Sequence, residues 1–209
     1  MGKITDIAPQ KKHKSRVSLY IDGEFFCGLE KLTVLEHRLK IGDEVDERKL
    51  SAAVFDSEVT QAFDKAAGYL ASRPHTEEEL KKYLAGKGFT AAVVDRALEK
   101  MAGYGYIDDA EFVRAYIESH RAKYGVKRMA LELARKGVDR ALVDEALDAL
   151  DQSEDATNTA RKYLRTHEHN KYKLRAYLFG KGFDPDAVDA AIDTLSEEGA
   201  FEESEDDDF

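Results

Sequence analysis

Five side chains that could meet a polyanion gather around one turn: His120, Arg121, Lys123, Lys127 and Arg128 flank Tyr124-Gly125. Cations beside an aromatic ring suit the phosphates of a nucleic acid or an acidic protein face. The same cations on a solvated helix surface would need no partner, and both readings stand at this point. A second basic run, Lys11, Lys12, Lys14 and Arg16, reads first as a solvated loop and second as a phosphate contact. Other candidates fail on context. Gly86-Lys87 and Gly180-Lys181 lack the earlier glycine and the following hydroxyl residue of a phosphate loop. Gly103-Tyr104-Gly105 follows a helical pattern rather than a strand, so it reads as a structural joint and not as a dinucleotide loop. His167 and His169 have no thiol or further imidazole near them, which makes them exposed polar residues rather than metal ligands. The lone Cys27 reads as a buried strand residue, not a nucleophile. With no nucleophile elbow and no HExxH, neither a catalytic site, a metal nor a cofactor is expected. The chain reads as a binding protein, not an enzyme.

The elements that must hold these side chains are repetitive. Lys87-Gly88-Phe89, Lys136-Gly137-Val138 and Lys181-Gly182-Phe183 are three centres of one pattern. Eight and four positions before each glycine stand Leu80 and Leu84, Met129 and Leu133, Leu174 and Leu178. Six, ten and thirteen positions after it stand Val94, Leu98 and Met101, then Val143, Leu147 and Leu150, then Val188, Ile192 and Leu195. Steps of three and four place each set on one helix face. The glycine ends the first helix in a left-handed conformation, and Thr90, Asp139 or Asp184 caps the next. Phe89, Val138 and Phe183 can pack on the fourth helical residue as hydrophobic staples, and Pro185 suits a first helical position. Ala67, Tyr69 and Leu70, then Tyr116 and Ile117, then Ala160, Tyr163 and Leu164 mark a preceding helix in each copy. Each unit is three helices of about 45 to 50 residues.

The expected fold is mainly α: tandem three-helix repeats, three units forming an elongated curved body, with a small β-rich N-terminal domain. The boundaries read as 1–50 for that domain, 57–104, 105–150 and 153–195 for the repeats, and 196–209 for an acidic disordered tail. In the first segment Val17, Leu19 and Ile21 alternate, Asp22-Gly23 turns a hairpin, and Ile4 to Ala8 supplies a third strand. Thr33 with Glu36 predicts a capped helix ending near Leu39, and Thr76 with Glu79 caps the helix after Pro74. In the joint Gly105-Tyr106-Ile107-Asp108-Asp109, Tyr106 and Ile107 plug the gap and Asp108 or Asp109 caps the helix carrying Phe112. Gly199-Ala200-Phe201 falls at the same place and reads as the start of an abandoned fourth unit. The net charge is −10, yet Glu197 to Asp208 holds eight acidic and no basic residues, which leaves −2 for the rest. No signal-peptide core or membrane-length apolar run is present, so a cytoplasmic location is expected.

Several separated motifs together resemble the RecX family of RecA regulators. They are Tyr69-Leu70-Ala71-Ser72-Arg73, Thr76 to Leu80, Lys87-Gly88-Phe89 and Gly105-Tyr106-Ile107-Asp108-Asp109 with Phe112. The second unit adds Gly125, Arg128, Glu132-Leu133 and Lys136-Gly137-Val138. The resemblance spans residues 60–195, and the β-rich segment is similar to an extension that some members carry. Thr76 stands where the family often has Ser, which preserves capping, and the acidic tail is not a general family feature. The resemblance implies a monomer that binds the RecA filament along its groove. It would restrain homologous recombination and the SOS co-protease by blocking extension or promoting disassembly. Arg73, Arg121, Lys127, Arg128, Arg165 and Lys173 are then the partner-binding expectation, facing acidic filament surface or bound DNA. Gly88, Gly105, Tyr106, Asp108, Asp109, Gly137 and Gly182 are the structural set. The rival reading is a direct DNA-binding protein with helix-turn-helix-like units. A near-neutral body without a basic stripe speaks against it.

Overall fold

The structure is a computed structural model describing residues 1–201, and its contacts divide at Asp108 and Asp109 into two compact units. In the first unit β1 (Gly2–Pro9), β2 (Arg16–Ile21), β3 (Glu24–Glu30) and β4 (Glu44–Val45) form an antiparallel sheet in the order β3-β2-β1-β4. The hairpin between β2 and β3 turns through Asp22 and Gly23 at φ of 50° and 85°. Two left-handed residues are what a two-residue turn needs to match the twist of its strands. β4 escapes a sequence reading because two residues cannot show an alternation. Ile4, Val17, Leu19, Ile21 and Leu29 form a core closed by Leu50 and Val54. Cys27 is half-buried on β3, where burial and then the Glu58 carboxylate push its thiol up to about 11, which favours the neutral thiol at neutral pH.

α1 (Lys31–Glu36) corrects the expected capping box. It begins before Thr33, ends short of Leu39 and has no side-chain cap. The Thr33 hydroxyl is buried instead, donating to Glu58 Oε1 at 3.1 Å and accepting from Gln61 Nε2 at 2.8 Å. A buried network has claimed the group that a local cap would use. α2 (Glu47–Leu70) is one 24-residue helix serving two cores. Leu50 and Val54 cover the sheet, whereas Val59, Ala62 and Ala66 enter the first repeat, so residues 50–57 fall inside the helix.

Arg16 also departs from its loop reading: it opens β2 and is 1% exposed. One guanidinium nitrogen lies 2.6 Å from Glu58 Oε2 and donates to the Gly28 carbonyl at 3.0 Å; the other lies 3.4 Å from Glu30 Oε1. Glu58 Oε1 also accepts the Glu30 N–H at 2.6 Å, and the Phe89 ring centre is 4.8 Å from the guanidinium. Lys11, Lys12 and Lys14 stay exposed.

The first repeat consists of the second half of α2, α3 (Glu77–Gly86) and α4 (Ala91–Gly103). The second unit holds α5 (Asp109–His120), α6 (Val126–Arg135) and α7 (Arg140–Asp148), then α8 (Ser153–Leu164), α9 (Lys171–Lys181) and α10 (Pro185–Glu197). Leu80, Leu84, Met129, Leu133, Leu174 and Leu178 all have zero exposure. Gly88, Gly137 and Gly182 take φ of 90°, 79° and 89°. Behind each, the N–H of Phe89, Val138 or Phe183 returns to the carbonyl of Leu84, Leu133 or Leu178 at 3.2–3.4 Å, the bond of a left-handed helix stop. Asp139 and Asp184 cap as expected, accepting from Ala141 N at 2.8 Å and Ala187 N at 2.9 Å. Thr90 holds the N-cap position without a side-chain bond, and Leu150 lies beyond the end of α7, half-buried.

Two joints are reread by the packing. Tyr106 is 56% exposed with its ring edge-on to Phe63 at 5.8 Å, and Ile107 packs on the first repeat's core. Gly199-Ala200-Phe201 closes the third repeat rather than beginning a fourth: Ala200 N returns to Leu195 O at 2.9 Å and Phe201 packs on that core. Ser196 and Glu197, expected in the tail, belong to α10, and residues 202–209 lie outside the described residues. His169 directs Nδ1 at Ala200 O (2.7 Å) and Nε2 at Leu164 O (3.2 Å), while His167 stacks on Tyr163. Among the described residues no acidic, His or Cys group is placed to hold a metal, and no helix is long and apolar enough to cross a membrane.

Replacing Glu58 by Ala removes the nearer carboxylate of the buried Arg16, leaves it only the longer Glu30 contact, and should cost about 3–5 kcal/mol in urea unfolding. Arg140→Ala, which breaks a solvent-exposed pair with Asp144, should cost under about 0.5 kcal/mol.

A basic aromatic corner as the candidate functional site

Helix α6 begins against the end of α9. Gly125 occupies the position that Asn170 holds at the start of α9, twelve residues before the stop glycine, but it has no side chain to cap with. A Cβ at Gly125 would lie 2.0–2.2 Å from Phe183 N and the Gly182 carbonyl group. One at Gly182 would meet Arg128 Cβ at 2.6 Å. The two backbones therefore touch. Gly125 N donates to Lys181 O at 3.0 Å and Lys127 N donates to Gly182 O at 3.1 Å. Between them Val126 N donates to Gln152 Oε1 at 2.7 Å, and Gln152 Nε2 donates to Tyr124 O at 3.2 Å. The free N–H groups that open α6 are thus satisfied by the free carbonyls that close α9 and by one buried glutamine, with helix dipoles head to tail.

This contact gathers cations from two repeats around Tyr124. The Arg128 guanidinium lies 4.2 Å from the ring centre, Lys123 Nζ 5.0 Å and Lys181 Nζ 6.0 Å. Arg128 Nε donates to Glu132 Oε1 at 3.1 Å, and Tyr116 Oη donates to Glu132 Oε2 at 2.6 Å. The tyrosine bond first, and Arg128 second, hold the Glu132 carboxyl below its usual range, while burial and the Glu132 bond push the Tyr116 phenol up. Lys127, Leu131 and Arg135 follow at intervals of four on α6 and, with Gly180 and Gly182, line a groove of ≈ 390 Å³. Leu131 is 53% exposed there.

Of the six partner-binding expectations, the structure brings Arg121, Lys127 and Arg128 into this unit's α5–α6 corner. Arg121 is engaged by Asp155 at 2.8 Å and by the Asp151 carbonyl, tying α5 to α8. Arg128 is engaged by Glu132. Lys127 is exposed and forms no ion pair among the described residues. Arg73 lies in the other unit beside Glu79, Arg165 is exposed at the end of α8, and Lys173 pairs with Glu168 on the first turn of α9. Lys123, which the sequence placed at this turn, belongs to the corner; Lys181 and Arg135 belong to it although spacing did not select them. The signal for Lys181 lay in Gly125, a glycine where a cap was due.

Models of known families match three stretches: the regulatory protein RecX N-terminal domain at residues 2–46, the RecX first three-helix domain at 62–101 and the second at 108–147. The regulatory protein RecX of Bacillus licheniformis is 31% identical over 98% of this chain and 82% of its own length. That of Clostridium tetani is 29% identical, over 93% and 95%. A crystal structure of regulatory protein RecX aligns with a TM-score of 0.62 at 26% identity, covering 92% of this chain and all of that one.

Gly125→Ala should destabilise the fold by about 3 kcal/mol or more in urea unfolding, because backbone must move. Gly180→Ala, on the same groove with open space at its Cβ, should be neutral or stabilising by up to about 1 kcal/mol. Tyr116→Phe should cost about 1–2 kcal/mol near neutral pH. Glu132's carboxylate is stabilised by folding, so that contribution is present above the ordinary carboxylate range and lost as pH falls through the depressed value. The difference between wild type and Tyr116→Phe should accordingly shrink in acid, as urea titrations at several pH values would show.

Proposed function

The chain belongs to the RecX family of regulatory proteins, and on that premise we propose that it is a negative regulator of the RecA recombinase. In this reading it binds the RecA–DNA filament along its groove and inhibits recombinase, ATPase and co-protease activity by blocking extension or promoting disassembly. The supporting observation is the corner around Tyr124. Its remaining cations, Lys123, Lys127, Lys181 and Arg135, form no ion pair among the described residues, and Lys127 and Arg135 share their groove with an exposed apolar side chain, Leu131. Such a surface suits an acidic protein face with an apolar centre. Base stacking on Tyr124 is disfavoured because Arg128 already covers that ring at 4.2 Å, which weighs against direct DNA binding as the primary activity. Contacts repeated along several helical units gain from effective concentration, so each can be weak.

The test is ATP hydrolysis by the host RecA on single-stranded DNA, with this protein added before or after filament assembly. Hydrolysis should fall at substoichiometric protein, and the order of addition separates blocked growth from disassembly. Lys127→Glu with Arg135→Glu should raise the concentration for half inhibition about tenfold or more, with thermal unfolding unchanged. Undiminished hydrolysis at stoichiometric excess would overturn the recombinase reading; undiminished inhibition by the double variant would remove the corner from it.

A further inference from the structure

We propose that the groove on α6 is a docking site for this chain's own acidic segment, Glu202 to Phe209, so that the basic corner is covered in cis until a partner displaces it. The groove presents a cation, an apolar side chain and a cation on successive turns: Lys127, Leu131 and Arg135. Glu132, the groove's acidic residue, has its charge engaged by Tyr116 and Arg128, which leaves the rim positive. Residues 202–208 supply six carboxylates and no cation, and Phe209 follows directly on Asp206-Asp207-Asp208. Acid next to aromatic is the complement of cation next to leucine. The charges steer the segment and Phe209 against Leu131 fixes its register.

The geometry of the third repeat permits this placement. Phe201, the last described residue, packs on the repeat's core with Lys171 Nζ 5.3 Å from its ring, beside the start of α9. The groove lies at the other end of α9, at Gly180 and Gly182. An eleven-residue helix is about 16 Å long, and eight extended residues reach about 26 Å, so the segment spans the distance with slack. Between these two ends α9 exposes Tyr172 and Phe179, by 86% and 42%.

The inference does not depend on the recombinase, and its test contains none. In the full-length chain at low ionic strength, a zero-length carbodiimide reagent joins carboxylates to lysine amines where they touch, and peptide mapping identifies the pairs. Glu202 to Asp208 should link to Lys127 in preference to the exposed Lys11, Lys12 and Lys14. The yield should fall with added salt and fall about fivefold in Phe209→Ala. Equal labelling of all these lysines, or a yield at Lys127 indifferent to Phe209, would overturn the docking. A mixture of isotope-labelled and unlabelled chain distinguishes the other occupant: links confined to pairs of different copies would assign the groove to a second molecule's segment and overturn docking in cis.

Discussion

The left-handed glycine that ends the middle helix of each repeat is the constraint on which the rest depends. At φ near 80–90° a residue with a Cβ is strained. Only from that conformation does the next N–H return to a carbonyl of the helix it leaves, setting the following helix at an angle that turns its apolar face back on the same core. Because the stop is one residue wide, the side chains before and after it are fixed in register: the pairs at minus eight and minus four are wholly buried in all three repeats. A glycine also has no surface to defend, so another backbone can approach it. Gly182 uses that freedom in accepting Gly125, and Gly88 in admitting Arg16 Cδ and the His13 ring to within about 3.0 Å of where a Cβ would be.

Two of these stops are therefore sockets as well as turns, and each is closed by an arginine over an aromatic ring. Arg16 lies over Phe89 beside Gly88; Arg128 lies over Tyr124 beside Gly182. The environments differ in a way that decides what each can do. Arg16 is removed from water and held by two carboxylates and a carbonyl, which makes it a structural ion fixing the sheet to α2. Arg128 is 41% exposed at its side chain and is held by one carboxylate that is itself held by Tyr116. Its charge still contributes to the surface potential of the corner.

Much of this was legible in the chain because helix stops, staples and caps are local. The glycine spacing set the repeats, and the family resemblance rested on the same residues. What escaped the reading was set by partners distant in sequence. Thr33 looked like a cap until Glu58 and Gln61, 25 and 28 residues away, claimed its hydroxyl. Arg16 read as one of four loop cations, although only it has a buried carboxylate to meet. Phe201 read as a beginning because its motif matched Ile107, yet Ile107 closes its own repeat in the same way. The basic corner was half legible: α6 and its turn showed Arg121, Lys123, Lys127 and Arg128, but Lys181 arrives from 57 residues beyond Tyr124 through a backbone contact.

The division of the cations by role follows from the same physics. A charge that is desolvated must be paired or it destabilises the fold, so Arg16, and to a lesser degree Arg121 and Arg128, are committed to internal carboxylates. Commitment makes them poor sites for recognition, since a partner could engage them only by breaking a bond that the fold requires. Lys123, Lys127 and Arg135 carry no such obligation, remain solvated, and sit within one turn or two of the committed pair. Substitutions at Arg121 and Arg128 therefore confound binding with stability, whereas those at Lys127 and Arg135 separate them. On the proposed reading, recognition in this unit falls to the cations that the fold does not need.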